Sequence, residues 1–282
     1  MELEFREGVV VKHPASERAA SHGSHPAGPA RAAARWLVAA GILGWLAWRG
    51  VTNLDYHWQW YRVPGFLVQI QDGRWTPGLL LQGLWVTFKI TGASLALSLA
   101  LGLITALLRL SGSVAGRLLA RIYMELVRNT PLLIQIFFLY FVVARIFAIS
   151  RFWSAVWALS LFEGAYASEI FRAGIVSIAR GQWEAAASLG LTGFQTYTRV
   201  ILPQAVRRVL PPLTSQAVSL VKDSALVSTI AVYDLTMRAQ SVVSETFLAF
   251  EIWFTVAALY LAITVTLSAV AQAMEARLRV RT

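Results

Sequence analysis

The sequence of 282 residues has no cysteine and few charged residues. Without cysteine, the chain can form no disulfide, no thiolate metal site and no cysteine nucleophile. Charged residues make up 14% and hydrophobic residues 57% of the chain, whereas soluble domains are about 25% charged and about 45–50% apolar. Both departures favour a chain that lies in a lipid bilayer.

Histidine is also scarce, and no histidine falls within a long apolar run. We therefore expect no metal site and no catalytic residue in the chain. The phosphate-binding pattern G-x-x-x-x-G-K-[ST] is absent, so we expect no ATP site either. The net charge of +10 does not indicate nucleic-acid binding, because the cations lie between apolar runs and not in one basic domain. The four histidines are His13, His22, His25 and His57.

Six apolar segments are candidates for membrane-spanning helices, since a span takes about 20 apolar residues. The first is the shortest and stops at Arg49, and the last is the least interrupted. Regions 49–76 and 233–246 are interpreted as connections. The sequence therefore predicts an all-α, polytopic membrane protein. The six segments are 36–48, 81–108, 131–147, 152–178, 210–232 and 247–271.

The positions of arginine and lysine predict how the chain is oriented. If the first 35 residues are cytoplasmic and all six segments cross, most of these cations fall on the cytoplasmic side, as the positive-inside rule requires. Both termini and residues 181–203 are then cytoplasmic. We expect a disordered tail over 1–35, an additional helix with an outer connection over 36–75, one transmembrane domain over 76–275 and a cytoplasmic tail over 276–282.

Residues 181–203 form a short amphipathic segment between two apolar runs. Alanine and leucine over 184–189 favour a short helix, with Glu184 in its first turn, where a negative charge complements the helix dipole. Gly190 can take the left-handed conformation that ends a helix. A second stretch, 194–202, is then interrupted by Pro203. Composition alone fits either a docking element or a helix that lies on lipid headgroups.

The spacing within 181–203 separates these two interpretations. Glu-Ala-Ala at 184–186 is followed after three residues by Gly190, and nine residues later by Val-Ile-Leu-Pro at 200–203. This resembles the EAA loop of permease subunits in ABC importers, although Val200 stands where isoleucine is usual. The resemblance implies that this loop contacts an ATP-hydrolysing partner. The residues implicated are Glu184, Ala185, Ala186, Gly190, Leu202 and Pro203.

Three further motifs resemble the polar amino-acid permeases of that family. Residues 128–135, RNTPLLIQ, are similar to its Arg-(Gly/Asn)-Thr-Pro-Leu-Leu-x-Gln segment. Residues 164–166, GAY, precede the EAA-like loop as they do there, and residues 220–224, LVKDS, resemble its Leu-(Leu/Val)-Lys-Asp-(Thr/Ser) segment. Together these motifs cover about residues 80–275, and the first 75 residues lie outside the resemblance.

The resemblance implies a fold, a set of partners and a location. The fold is a helical core of about five spans, here with one extra amino-terminal helix. The partners are two ATP-binding subunits that hold ATP and Mg²⁺, a second permease chain, identical or related, and an extracytoplasmic solute-binding protein. The location is the bacterial cytoplasmic membrane. The implied solute is a polar amino acid or a related small molecule, and the sequence does not identify which one.

Ionisable residues within the apolar segments have two interpretations. They are costly in a bilayer and usually face protein or water. Ser215, Ser219 and Lys222 share one helical face, which predicts either a substrate pathway or a structural network. The pathway candidates are Glu163, Ser219, Lys222 and Asp223. Glu169 and Arg172 are three residues apart, a spacing that predicts a structural ion pair.

Two other classes of protein are compatible with parts of the sequence. An ATP-independent secondary transporter or channel would explain the buried charges and the six spans. It leaves the EAA-like spacing unexplained and predicts paired repeats with broken helices, which the sequence lacks. A membrane-embedded enzyme is disfavoured, because the chain has no cysteine, no histidine in a span and no nucleophile-base pattern.

Overall fold

The computed structural model describes residues 29–53, 56–71 and 73–278. The predictions for most of the amino-terminal tail and for 279–282 lie outside these residues. The chain divides into two compact units, Met1–His57 and Trp58–Thr282. Within the described part of the chain, both units are helical apart from one short hairpin.

The first unit has one described helix, α1, over Pro29–Asn53. It begins before the predicted start at residue 36, because 30–35 consist of alanine and arginine, which are good helix formers, and proline is tolerated in a first turn. The boundary expected at residue 35 therefore falls inside a helix. Arg49 does not end the helix; its guanidinium lies 5.3 Å from the Trp45 ring centroid.

The second unit begins with short elements in the region predicted as a connection. A 3₁₀ helix over Trp60–Arg62 leads into α2, Val63–Leu67. Strands β1, Val68–Gln71, and β2, Arg74–Pro77, then pair antiparallel. Gly73 lies at the turn with a φ of 73°, a conformation that glycine adopts without strain.

Four longer helices follow. Helix α3 spans Leu79–Leu110, α7 spans Arg151–Val176, α10 spans Leu202–Asp223 and α12 spans Ala249–Leu278. Helices α3 and α7 agree with their predicted segments to within two residues. Helix α10 begins eight residues before the predicted 210 and ends nine before the predicted 232, and α12 ends seven residues after the predicted 271. Pro211 and Pro212 lie inside α10, so the prolines predicted to open this segment do not start the helix.

Helices α3 and α7 pack closely through small residues. A Cβ placed on Gly102 would lie 2.7 Å from the Cβ of Ala167, so only glycine permits this approach. Ser160 donates to the carbonyl of Ser94 at 3.4 Å, and Ser94 donates to the carbonyl of Val156 at 3.4 Å. Small residues with bonded hydroxyls are typical of helix pairs in membranes.

Between α3 and α7 the chain bends sharply. Helix α4, Val114–Arg128, is followed by α5, Leu132–Phe137, a π-helical turn, Phe138–Val143, and α6, Ala144–Phe147. The parts before and after the break differ in direction by 107°. Pro131 is extended, with a φ of −62° and a ψ of 139°, so the helix predicted from Pro131 starts one residue later.

The last connection contains a helix that the sequence did not predict. The segment predicted as 210–232 ends in a 3₁₀ helix, Ser224–Ile230, and α11 then spans Leu235–Thr246. Asp234 caps α11, since its Oδ1 accepts from the Met237 N–H at 2.9 Å. The predicted connection 233–246 is therefore mostly helical.

Two helices of the described chain are long and apolar enough to cross a membrane by themselves, α3 and α12. A third candidate arises if α4 and the 132–147 stretch count as one bent span. Helices α7 and α10 carry most of the ionisable residues that the sequence singled out.

Candidate functional site

The EAA-like segment folds as two short helices on either side of a left-handed turn. Helix α8, Arg180–Ser188, ends before Gly190, whose φ is 71° as predicted. The Leu191 N–H donates to the carbonyl of Ala186 at 3.1 Å, a bond typical of a glycine C-cap. Because α8 begins at Arg180, Glu184 lies in the second turn and not in the first. It pairs with Arg180, whose Nε lies 3.1 Å from its Oε1.

The second half of the segment is a continuous helix and not an interrupted one. Thr192 and Gln195 form a reciprocal capping box at the start of α9, Gly193–Thr196. A π-helical turn, Tyr197–Ile201, joins α9 to α10. The prediction that Pro203 interrupts the stretch is wrong: the wider turn before Pro203 accommodates its ring and its missing N–H.

The two halves are braced against each other. The rings of Trp183 and Tyr197 meet edge to face, with centroids 5.0 Å apart. The Gln204 amide donates to the Gln182 side chain at 3.2 Å, and Ala186 is only 2% exposed. The segment is therefore a packed unit and not a loose loop.

Helix α10, which continues from this unit, is tied to the end of α7. The Arg208 guanidinium donates to the Ser177 hydroxyl at 2.9 Å and to the Ser177 carbonyl. Arg208 lies on α10 and Ser177 directly follows α7. A displacement of the 181–203 segment would thus reach both helices.

The outer face of the unit presents apolar side chains beside charge. Leu189 and Phe194, on either side of the glycine turn, are each 79% exposed. Exposed apolar side chains that are grouped together are typical of interaction surfaces, whereas scattered ones are normal. Five of the six predicted contact residues are exposed on this unit, whereas Ala186 is buried. The sequence-based prediction did not include Leu189 and Phe194, although both are large apolar residues close to the predicted turn at Gly190.

Glu163 lies in a buried polar contact between α7 and α10. It is 1% exposed, and its Oε2 accepts a hydrogen bond from the Gln216 amide. Its Oε1 has no hydrogen-bond partner among the described residues. The Asp223 carboxyl lies close enough for its charge to act on Glu163. Two of the four predicted pathway residues, Glu163 and Asp223, therefore lie together.

The other two pathway candidates lie elsewhere on α10. Ser219 and Lys222 line a groove between α10 and α12 with a volume of about 190 Å³. Ser215 lines the same groove, as the i, i+4, i+7 spacing predicted. Helix α12 contributes polar groups opposite. They are Ser268, Gln272 and Glu275.

Glu169 lies between two arginines. Its Oε1 is 2.5 Å from Arg172 Nη2, the spacing-predicted partner. Its Oε2 is 2.5 Å from Arg109 Nη1, at the end of α3. No local pattern predicted the Arg109 contact, because it joins residues 60 positions apart. About a third of the Glu169 side chain is exposed, so this network joins α3 to α7 near the surface.

No cluster of three or more histidine, aspartate or glutamate side chains suitable for a metal ion occurs in the described ranges 29–53, 56–71 and 73–278. The geometry therefore offers two features with functional chemistry. One is the exposed and braced unit at 181–203, and the other is a set of polar groups along α10. The 181–203 unit runs directly into the helix that carries those groups.

Comparison with known proteins gives a consistent result. Residues 98–280 match the family described as binding-protein-dependent transport system inner membrane component. The glutamine transport system permease protein GlnP of Escherichia coli K12 is 37% identical over 205 residues, covering 72% of this chain and 94% of GlnP. The L-cystine transport system permease protein TcyB of Bacillus subtilis is 41% identical over 174 residues, 61% of this chain and 74% of TcyB.

Solved structures show the same fold. An amino acid ABC transporter crystallised with histidines matches 71% of this chain and 94% of its own, with 37% identity and a TM-score of 0.67. The MetNI methionine ABC transporter in an inward-facing conformation matches 72% of this chain with a TM-score of 0.62. Its identity is 19%, so this second likeness concerns the fold alone.

Proposed function

The chain belongs to the family of binding-protein-dependent transport system inner membrane components, and from this premise we propose that it moves a polar amino acid or a related small solute. In this proposal it forms half of the membrane pathway of an ATP-driven importer. The observation that carries the proposal is the 181–203 unit, which combines the EAA spacing with an exposed apolar face and internal bracing.

The docking role is supported by the form of this unit. The exposed side chains Leu189 and Phe194 can enter a cleft on a partner, while the exposed Ala185 and Gly190 allow close approach. Nothing lies within 4 Å of a Cβ built on Gly190, so this glycine is needed for its backbone conformation and not for internal space. Glu184 adds a charge that is 67% exposed and available to a partner.

The mechanism follows from the continuity of the chain. ATP and Mg²⁺ are bound by the partner ATPase subunits, which supply the chemistry. In this chain, α9, the π-helical turn and α10 form one continuous helical run. Movement of the 181–203 unit, here called the docking unit, therefore rotates or shifts α10 as a whole. Helix α10 carries Gln216, Ser219, Lys222 and Asp223. Transport then depends on contacts that differ between two conformations.

The substrate pathway is proposed along α10, past the Glu163–Asp223 contact with α7 and the groove that Ser219 and Lys222 line with α12. These four residues offer both signs of charge, which suits a zwitterionic solute. The Oε1 of Glu163, which lacks a described protein partner, is the acceptor most readily offered to an ammonium group when the helices separate. In the conformation seen here Glu163 is buried, so it requires such a movement to reach a solute.

The rest of the assembly is proposed from the family. Two ATP-binding subunits, a second permease chain, identical or related, and an extracytoplasmic solute-binding protein complete the importer in the bacterial cytoplasmic membrane. Both termini and the 181–203 unit face the cytoplasm. Residues 76–275 form the permease domain in this proposal, and α1 with the connection after it lies outside that domain.

Co-purification tests the docking role. Glu184→Lys reverses the exposed charge of the unit, and we expect the ATPase subunits to be lost from the purified complex while the permease remains in the membrane. Glu245→Lys, an equal change of charge on the exposed surface of α11, should retain them. Solute uptake that persists after removal of every ATPase subunit would instead identify a secondary transporter or channel.

A further inference from the structure

A cationic pocket lies between the end of α3 and helix α4, away from the docking unit and the α10 groups. Its volume is about 230 Å³. Four arginines line it, with one carboxylate among them. The lining residues are Arg109, Arg117, Arg121, Met124, Glu125 and Arg128. Such a concentration of guanidinium groups attracts an anion.

The described residues leave most of this positive charge without a carboxylate partner. Arg109 is paired with Glu169, but no ion pair of the described chain neutralises Arg117, Arg121 or Arg128. Glu125, the one acidic residue in the lining, accepts a hydrogen bond from the Asn129 amide at 2.7 Å. The pocket therefore keeps an excess of positive charge.

Local contacts position two of these guanidinium groups, those of Arg117 and Arg128, without using all their donors. Arg117 Nη1 donates to the carbonyl of Ser111 at 2.7 Å. The Arg128 guanidinium lies 5.7 Å from the centroid of the Tyr166 ring. A guanidinium has five N–H donors in a planar fork that matches the oxygen atoms of a phosphate group. Positioned arginines with free donors are suited to phosphate recognition.

Helix α4 also presents an apolar surface beside this pocket. Arg117, Arg121 and Arg128 are spaced by four and seven residues, which places them on one helical face. The buried residues Gly116, Ala120 and Met124 attach α4 to the protein along a second face. A third face exposes large apolar side chains. They are Leu118 at 54%, Leu119 at 64%, Ile122 at 48% and Leu126 at 64%.

A helix with arginine on one face and exposed leucine and isoleucine on another is typical of helices that lie in the membrane interface. The bend supports this placement, because α4 is turned by 107° from the stretch that follows it. If residues 132–147 cross the bilayer, α4 runs nearly along its surface. Its arginines then lie at headgroup depth and its exposed apolar residues lie toward the acyl chains.

We propose that this pocket binds the phosphate group of an anionic membrane phospholipid. The arginines contact the headgroup, and the acyl chains lie against Leu118, Ile122 and Leu126. Charge complementarity selects an anionic over a zwitterionic lipid, since each basic residue near an anionic surface contributes about 1 kcal/mol. The adjoining apolar face favours a lipid over a soluble phosphate ion, because a phosphate ion has no acyl chain to bury there.

The test compares lipid binding to the purified importer complex by native mass spectrometry. Phosphatidylglycerol is titrated against phosphatidylcholine in detergent, with inorganic phosphate as a third probe. We expect phosphatidylglycerol to bind more tightly than phosphatidylcholine. We expect Arg117→Gln/Arg121→Gln to weaken phosphatidylglycerol binding roughly 30-fold, from about 1 kcal/mol for each of the two arginines.

Two further double variants serve as controls. Arg117→Lys/Arg121→Lys keeps the charge and should keep most of the preference for phosphatidylglycerol. Arg145→Gln/Arg207→Gln removes the same charge from exposed positions elsewhere and should leave binding unchanged. The proposal is overturned by equal affinity for the two lipids, by an equal effect of both glutamine variants, or by inorganic phosphate displacing the lipid at equal concentration.

Discussion

The indole of Trp183 meets the ring of Tyr197 edge to face, at 5.0 Å between centroids and 81° between planes. Trp183 belongs to α8 and Tyr197 to the π-helical turn before α10. This contact holds α8 against the turn that leads into α10. In the proposed function, a movement of α8 is therefore passed on to α10 and is not absorbed by a hinge at Gly190.

Trp183→Ala should uncouple the docking unit from α10. Edge-to-face aromatic pairs contribute about 0.5–1.5 kcal/mol beyond the area they bury, and alanine removes both contributions. We expect ATP hydrolysis by the reconstituted complex to lose most of its stimulation by the solute-binding protein, with normal amounts of permease in the membrane. Trp183→Phe, which keeps an aromatic edge, should retain it. Full stimulation in the alanine variant would show that the contact is dispensable.

Gly190→Ala should destabilise the fold of the docking unit through backbone strain alone. At a φ of 71°, an L-residue with a Cβ costs roughly 1–2 kcal/mol, and no steric clash accompanies it. We expect weaker retention of the ATPase subunits and faster proteolysis within 181–203. Gly190→Asn should be milder, because asparagine tolerates this conformation better. Equal behaviour of both variants and the wild type would contradict a requirement for the left-handed turn.

Two variants, Glu163→Ala and Glu163→Gln, should distinguish a structural role of Glu163 from a role in transport. Alanine leaves the buried Gln216 amide without its acceptor, at a cost of about 1–3 kcal/mol, so the thermal unfolding midpoint of the complex should fall. Glutamine retains an acceptor oxygen, and we expect near-normal stability with reduced solute uptake. Normal uptake by the glutamine variant would assign Glu163 a structural role only.

Stability should depend on pH through Asp234, which lies outside the predicted spans and is fully buried. Burial raises the pKa of its carboxyl from 3.8 to about 6, although N–H donors such as that of Met237 oppose the shift. The folded state then binds more protons than the unfolded state between those values. The free energy of unfolding should therefore fall by about 3 kcal/mol as pH rises from about 4 to about 6.

The midpoint of thermal unfolding of the purified complex, measured across pH 4 to 7, checks this dependence. Asp234→Asn carries no titratable group and should flatten the profile. It also keeps an oxygen that can cap α11, so the helix itself should persist. A profile that rises with pH in the wild type, or an unchanged slope in the variant, would contradict the assignment.

The sequence predicted those features that depend on local pattern. The apolar segments located the long helices, and Gly190 located the left-handed turn that follows α8. Helix α11 was missed, although aspartate is a preferred residue at the position before a helix and Asp234 stands there. The hairpin at 68–77 was missed because each strand has only four residues.

The site itself required knowledge of neighbouring helices. Spacing showed that Ser215, Ser219 and Lys222 share a face, but not that α12 lies opposite them or that Asp223 turns toward Glu163. The contact of Arg109 with Glu169 depends on how α3 packs against α7, which no local pattern encodes. The effect of Pro203 was misjudged for a related reason: a widened helical turn before a proline is set by the surrounding packing.

The proposed function requires that the docking unit be the surface that an ATPase subunit contacts. Because the chain has no cysteine, Leu189→Cys and Phe194→Cys each introduce one thiol at a position 79% exposed. Phe247→Cys places a matched thiol at an equally exposed position, 81%, outside the unit. Cross-linking in native membranes to an ATPase subunit, itself carrying a single introduced cysteine, should occur from 189 and 194, change with ATP, and be absent from 247. Cross-links from 247 alone, or from none of the three, would contradict the docking of an ATPase subunit on residues 181–203.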